Sequence, residues 1–117
     1  MFRVGKAIIG IAGNVEHAMV FVDWYGDRKK REPDRHNECD WEALVLTAKG
    51  VEYWGSSLRP IKDGSGYAAI GSGSPHAITA MDCGKSAVQA VQMAAKRDPA
   101  TGGRVVTMRL NPVVTRR

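Results

Sequence analysis

The stretch EALVLTAKGVEYWGSS, residues 42–57, constrains the fold of this chain more than any other. Two runs of β-forming residues flank Lys49-Gly50, and glycine can take the positive φ angle that a tight β-hairpin needs. A hairpin of this kind commits the chain to an antiparallel sheet. The patterns before and after it then decide which helices pack on that sheet.

A strand and a helix are predicted before the hairpin. The run KAIIGIAG, residues 6–13, predicts a buried strand, and Asn14 offers an N-cap for a helix that stops at Gly26. The charged segment 26–40 contains Pro33 and predicts a loop. This loop separates two halves of one domain.

A short strand and a helix are predicted after the hairpin. The run YAAIGSG, residues 67–73, predicts the strand. Ser74 as N-cap with Pro75 at the first helical position predicts the helix start, because the missing proline N–H would have no partner there. We expect this helix to end at about Cys83, since Gly84 follows.

A second helix and a final strand complete the pattern. Ser86 and Gln89 form a capping box, and Pro99 disfavours helical geometry at Asp98, where we expect the helix to end. The run RVVTMRL, residues 104–110, predicts a strand. The predicted order β-α-β-β-β-α-α-β indicates one α/β (α+β) domain over residues 1–117.

The composition is that of an ordinary soluble globular protein. The chain has 117 residues, of which 44% are hydrophobic and 25% are charged, so it can bury a core without a disulfide or metal staple. It contains no run of 18 apolar residues and no convincing signal-peptide cleavage site. We therefore expect a cytoplasmic protein with no membrane partner.

The cysteines and histidines do not form a metal-binding pattern. Cys39 and Cys83 lie far apart without metal-ligand spacing, so we expect free thiols. The histidines, His17, His36 and His76, fall on separate predicted elements. We expect neither a metal nor a cofactor.

The net charge of +5 permits attraction to nucleic acid or to an acidic protein surface but requires neither. The basic run at 28–31 is followed by acidic residues, and the segment 26–40 sums to zero. After Asp98 the chain has no acidic residue. The candidate basic contact patch lies there and consists of Arg104, Arg109, Arg116 and Arg117.

Two apparent nucleotide-binding motifs are incomplete. The stretch CGKS, residues 83–86, follows a predicted helix and has Thr79 where the phosphate-loop pattern requires glycine. The stretch GSGS, residues 71–74, has His76 where the dinucleotide fingerprint requires its third glycine. Neither motif supports nucleotide binding.

Asp98 is unusual at the end of a helix. The helix dipole favours cations at the C-terminus, so a carboxylate is mildly unfavourable there unless a partner meets it. We therefore expect Asp98 to have a hydrogen-bond or charge partner.

Three stretches resemble β-type proteasome subunits and the related bacterial ATP-dependent peptidase. AIGSGSPHAITAMD, residues 69–82, resembles a Gly-Ser-Gly turn after a strand, and AAKRDPATGGRVVTMRL, residues 94–110, resembles an Arg-Asp-x-x-Ser/Thr-Gly-Gly joint after a long helix. KAIIGIAGNVEHAMVFVDWY, residues 6–25, resembles the family's strand and first helix. The resemblance implies a reduced amino-terminal-nucleophile-hydrolase sandwich, an antiparallel β-sheet with packed helices.

The resemblance also implies a site. In that family an N-terminal threonine is the nucleophile and its own amine is the base, because a free hydroxyl stays protonated without one. A lysine and an aspartate from the following strands tune the threonine, and a serine and the helix–strand joint support it from behind. The implied supports are Ser72, Gly73, Asp98, Thr101, Gly102 and Gly103.

The chain departs from the family at its start, which lies where the family's third strand would be. Met1 precedes bulky Phe2, which disfavours removal of the methionine, so we expect no N-terminal nucleophile. This favours a non-catalytic binding or inhibitory module, such as a phage or mobile-element protein that acts on a macromolecular complex. The alternative is a fragment of a threonine-type peptidase whose nucleophile lies upstream. A third interpretation is a cysteine hydrolase that uses Cys83 or Cys39.

The reduced size of the domain also bears on its partners. Without the strands that the family has, at least one sheet edge is expected to be open, and open edges recruit other chains. We therefore expect a homo-oligomer or a protein partner, with nucleic acid as the less supported alternative.

Overall fold

Eight elements of secondary structure follow one another in the computed structural model, which describes residues 1–30, 32–33, 40–55, 58, 60–63 and 66–100. In chain order they are β1 (Phe2–Val4), β2 (Ala7–Gly13), α1 (Val15–Gly26), β3 (Trp41–Thr47), β4 (Gly50–Gly55), β5 (Ile61–Asp63), α2 (Ser74–Asp82) and α3 (Ala87–Arg97).

The five described strands form one antiparallel sheet in the order β1-β2-β3-β4-β5. Although α1 lies between β2 and β3 in the chain, these two strands pair directly, with Ile8 opposite Leu46 and Gly13 opposite Trp41. Among the described strands, β1 and β5 each have one neighbour and form the two edges of the sheet. The predicted antiparallel sheet with helices is confirmed at this level.

Helix α1 covers one face of the sheet. The Asn14 side chain caps it by accepting a hydrogen bond of 3.1 Å from the His17 amide. Phe21 is fully buried, and its ring centroid lies 5.1 Å from those of Trp41 and Trp54. Burial of such a side chain stabilises the fold by about 1.5–3 kcal/mol. The buried residues around it are Ala7, Ile9, Ala18, Val22, Ala43, Val45 and Leu58.

Helices α2 and α3 form a separate pair with its own small core. The Ser86 side chain accepts from the Gln89 amide at 3.2 Å, and the Gln89 side chain accepts from the Ser86 amide at 3.0 Å. The predicted capping box is therefore present. Small side chains let the two helices approach closely, and the buried ones are Ala77, Ala80, Ala90 and Ala94.

Several predicted boundaries need correction. The strand predicted over residues 67–73 is wrong, since 67–70 form no regular element and a turn follows. Gly73, not Ser74, is the N-cap of α2, which begins at Ser74. The hairpin turn lies at 48–49, with Gly50 as the first residue of β4 at a φ of 127°.

Two strands were not predicted, and one prediction lies outside the described chain. Strands β1 and β5 have only three residues each, too few to show an alternating pattern. The strand predicted over residues 104–110 lies outside the described residues. Among the described helices none has the length and apolar character to cross a membrane.

Candidate functional site

Ser72 and Asp98, which are 26 residues apart in the chain, are in direct contact. The Ser72 hydroxyl donates a hydrogen bond of 2.5 Å to Oδ2 of Asp98. Oδ1 of Asp98 accepts from the Ala100 amide at 3.1 Å. Asp98 is half-buried and Ser72 is exposed, so the carboxylate stands behind the hydroxyl.

The turn at residues 71–73 presents Ser72 for this contact. Gly71 has a φ of 92°, a conformation that favours glycine. The Ser74 amide donates to the Gly71 carbonyl at 3.1 Å, which closes the turn directly before α2. At the other partner, Asp98 is the C-cap of α3, where its amide donates to the Ala94 carbonyl at 2.8 Å. The ends of two helices therefore position the pair.

Ser72 lines a cleft of about 570 Å³ at the end of the sheet, which we call the Ser72 cleft. The strand residues of its wall are Ala12, Gly13, Trp41 and Glu42, with Asp40 beside them and Gly71 and Ser72 opposite. An adjoining space of about 600 Å³ lies between the sheet and the α2–α3 pair, and we call it the interlayer cavity. It is more apolar, and its lining includes Gly10, Leu44, Ala77, Met81, Ala90 and Val91.

Both spaces lie on the sheet face that points away from α1. Side chains alternate between the two faces of a strand. Ile9, Ala43 and Val45 belong to the core under α1, so Ala12 and its strand partner Glu42 point to the opposite face. The alternation in the β2 and β3 sequences thus places one face against α1 and the other along the cleft.

A polar network fixes the rim of the Ser72 cleft. Oδ2 of Asp40 lies 2.7 Å from Nδ1 of His17 and accepts from the Asn14 side chain at 3.2 Å. The Asn14 amide also donates to the Asp40 carbonyl at 2.7 Å. These contacts join the start of α1 to the residue before β3.

Glu42 was not predicted as a site residue. Its Oε1 accepts a hydrogen bond of 2.8 Å from the Gly71 amide, across 29 residues of sequence. The alternation of β3 places Glu42 on the face opposite Ala43 and Val45, which was the only available signal. The alternation of β3 does not predict which turn Glu42 contacts.

The remaining predicted residues are distributed as follows. Gly73 lies in the turn beside Ser72 and caps α2. Cys83 is exposed at the C-cap of α2. In the part of the chain that the structure describes, no group of three or more His, Cys, Asp or Glu side chains is placed to hold a metal ion. The predicted residues outside the described part are Cys39, Thr101, Gly102, Gly103, Arg104, Arg109, Arg116 and Arg117.

The fold is similar to that of solved peptidase subunits, whereas no family model and no curated protein matches the chain. Thiobacillus denitrificans BPH in complex with epoxomicin has a TM-score of 0.69 at 20% identity, over 95% of this chain and 79% of that one. A second structure of Thiobacillus denitrificans BPH has a TM-score of 0.68 at 19% identity, over 96% of this chain and 80% of that one. Eukaryotic HslV from Trypanosoma brucei has a TM-score of 0.62 at 19% identity, over 84% and 72%.

These neighbours define the fold as one found in proteasome-type and HslV-type peptidase subunits. The similarity agrees coarsely with the resemblance seen in the sequence. At 19–20% identity the similarity describes the fold, and the comparisons give no support to the expectation of a non-catalytic module.

Proposed function

We propose that this chain is the body of a proteasome-like threonine-type peptidase subunit whose nucleophile lies upstream of the chain. The observation that carries the proposal is the hydrogen bond of 2.5 Å between Ser72 and Asp98 at the wall of a cleft. The similarity to peptidase subunits supports it, and one of those neighbours is described in complex with epoxomicin.

The Ser72–Asp98 pair suits the chemistry of an N-terminal threonine. Because the Ser72 hydroxyl donates its hydrogen bond to Asp98, the lone pairs of Ser72 Oγ stay available to accept from an N–H group. A terminal amine that is held in this way can take the proton of its own hydroxyl as that oxygen attacks a peptide carbonyl. Ser72 then orients the amine, and Asp98 orients Ser72.

The test is to extend the chain with the coding sequence immediately upstream of Met1. We expect this sequence to contain a threonine followed by two strand patterns. The extended protein, processed to that threonine, should hydrolyse short fluorogenic peptides and should bind epoxomicin. The chain from Met1 should do neither, and Ser72→Ala in the extended protein should lower kcat. A folded, processed protein that neither cleaves peptides nor binds epoxomicin would contradict the proposal.

Self-association is part of the same proposal. Ile61 on the edge strand β5 is 68% exposed, and an exposed apolar edge strand favours pairing with another chain. We expect sedimentation at tens of micromolar, a range set by typical weak association, to show more than a monomer, and Ile61→Lys to shift the distribution towards monomer. A wild-type chain that sediments only as a monomer would contradict self-association. The cytoplasmic location and the phage or mobile-element origin stay predictions.

A further inference from the structure

Backbone amides of a segment outside the sheet donate hydrogen bonds to strand side chains and so join the two layers on either side of the cleft. Within the described residues, α2 and α3 pack on each other, and no Cα atom of either helix lies within 8 Å of a strand Cα atom. Residues 67–70, which lead to the Ser72 turn, have no strand partner among the described residues. The Gly71 amide donates to Glu42 of β3 at 2.8 Å, and the Ala69 amide donates to the Tyr53 hydroxyl of β4 at 3.3 Å.

The contact of Glu42 with Gly71 is the closer and stronger of these two links. Hydrogen bonds to an ionised acceptor are shorter and roughly twice as strong as those between neutral groups. Gly71 immediately precedes Ser72, whereas Ala69 lies two residues further away. Gly71 also faces the sheet, since a Cβ at this position would make an ordinary van der Waals contact of 3.8 Å with the Cβ of Ala12.

We propose that Glu42 is a positioning residue for the Ser72–Asp98 pair, which it holds in place through the Gly71 amide. The carboxylate spans the Ser72 cleft from β3 and fixes the first residue of the turn. With the turn held in this way, Ser72 keeps one orientation towards Asp98 at the end of α3. The inference rests on the proposed function for its catalytic meaning, although the link from Glu42 through Gly71 to the pair is measurable without substrate.

The chain offers matched variants for the test. Glu42→Ala removes the acceptor, and Glu42→Gln keeps an oxygen acceptor without the charge. Tyr53→Phe removes the neighbouring link at Ala69 and serves as the control. All three changes lie outside the Phe21 core under α1, so the variants should fold, and tryptophan fluorescence of that core checks this.

The first measurement is hydrogen exchange of the Gly71 amide by NMR. In Glu42→Ala we expect exchange to accelerate roughly tenfold or more, which corresponds to about 1.4 kcal/mol. Glu42→Gln should restore most of the protection, and Tyr53→Phe should leave Gly71 nearly unchanged. Unchanged Gly71 exchange in a folded Glu42→Ala variant would overturn the proposal.

The second measurement separates positioning from general stability. The coupling between Ser72→Ala and Asp98→Ala is measured by a double-mutant cycle in urea, in the wild-type and Glu42→Ala backgrounds. Positioning predicts that the coupling falls in Glu42→Ala and recovers in Glu42→Gln. An unchanged coupling with lower overall stability would show a structural role only and overturn the proposal. If Glu42→Ala does weaken the Ser72–Asp98 coupling but the extended protein cleaves no peptide, the proposed function is contradicted and the positioning role of Glu42 is not.

Discussion

Nδ1 of His17 on α1 lies 2.7 Å from Oδ2 of Asp40, the residue that precedes β3. The two side chains are 42% and 43% exposed, so water screens the pair and its own contribution to stability is small. Its value is positional, because it fixes the start of α1 against the strand that forms one wall of the Ser72 cleft.

Asn14 is expected to contribute more to stability than this exposed pair. Its side chain caps α1 at the His17 amide and also donates to Asp40. Asn14→Ala should lower the free energy of unfolding by about 1 kcal/mol, the usual cost of losing an N-cap. Urea denaturation measures this, with Glu16→Ala in the first turn of the same helix as the control. Equal free energies of unfolding for Asn14→Ala and Glu16→Ala would contradict a stabilising role of Asn14 as N-cap.

Asp98 is expected to stabilise the fold through Ser72 and Ala100. Asp98→Ala leaves the Ser72 hydroxyl and the Ala100 amide without this acceptor. The expected loss is about 1–3 kcal/mol in urea denaturation, because Asp98 is half-buried and its partners lose a charged acceptor. Lys96→Ala, an exposed change in the last turn of α3, is the control. A loss below about 0.5 kcal/mol would identify Asp98 as an ordinary surface residue.

Gly13 should not tolerate a side chain. A Cβ there would lie 2.4 Å from the Asp40 carbonyl oxygen, and the residue has a φ of 89°. Gly13→Ala should therefore destabilise the chain by more than about 2 kcal/mol, since strain in the left-handed region alone costs about 1–2 kcal/mol. Gly10→Ala on the same strand is the matched control, because a Cβ there meets nothing within 4 Å. Similar melting temperatures for the two variants would disprove the close approach.

Alkaline pH should weaken the fold in part through Tyr25. Burial raises the pKa of Tyr25, the Glu52 carboxylate adds to the rise, and the Arg28 guanidinium opposes it. The folded chain therefore holds this proton more tightly than the unfolded chain, and its contribution is lost as the pH rises above about 10. Urea midpoints from about pH 9 to 11 should fall less steeply in Tyr25→Phe than in wild type. Parallel falls in the two proteins would exclude this contribution.

The elements that local chemistry defines could be predicted from the sequence. Asn14 and Ser86 begin helices because their side chains cap neighbouring amides, and Pro99 ends one at Asp98. Residues 67–70 have a β-like sequence but form no strand, and the amides of Ala69 and of the following Gly71 donate to side chains distant in sequence. The local sequence pattern does not predict hydrogen-bond partners that are distant in the chain.

In the candidate site, too, local sequence features could be predicted, whereas contacts between residues distant in sequence could not. The resemblance pointed to Ser72 and Asp98 together, and the structure brings them into contact, although their role in catalysis stays a prediction. No spacing rule connects two residues that are 26 positions apart, nor Glu42 with Gly71. Such contacts depend on the whole fold, and sequence reasoning reached only the pair for which a related pattern existed.

The separation of the two cores has a consequence for the order of folding. Neighbouring strands of the described sheet are consecutive in strand order, and α1 packs on the strands that flank it in the chain, so no strand pairing crosses another strand. Chains with local contacts fold quickly, because little loop-closure entropy is lost before contacts form. We expect the sheet and α1 to assemble first, with α2 and α3 docking in a slower step. Stopped-flow refolding should therefore bury the tryptophans, all of which lie in the first unit, before Ser72 and Asp98 meet.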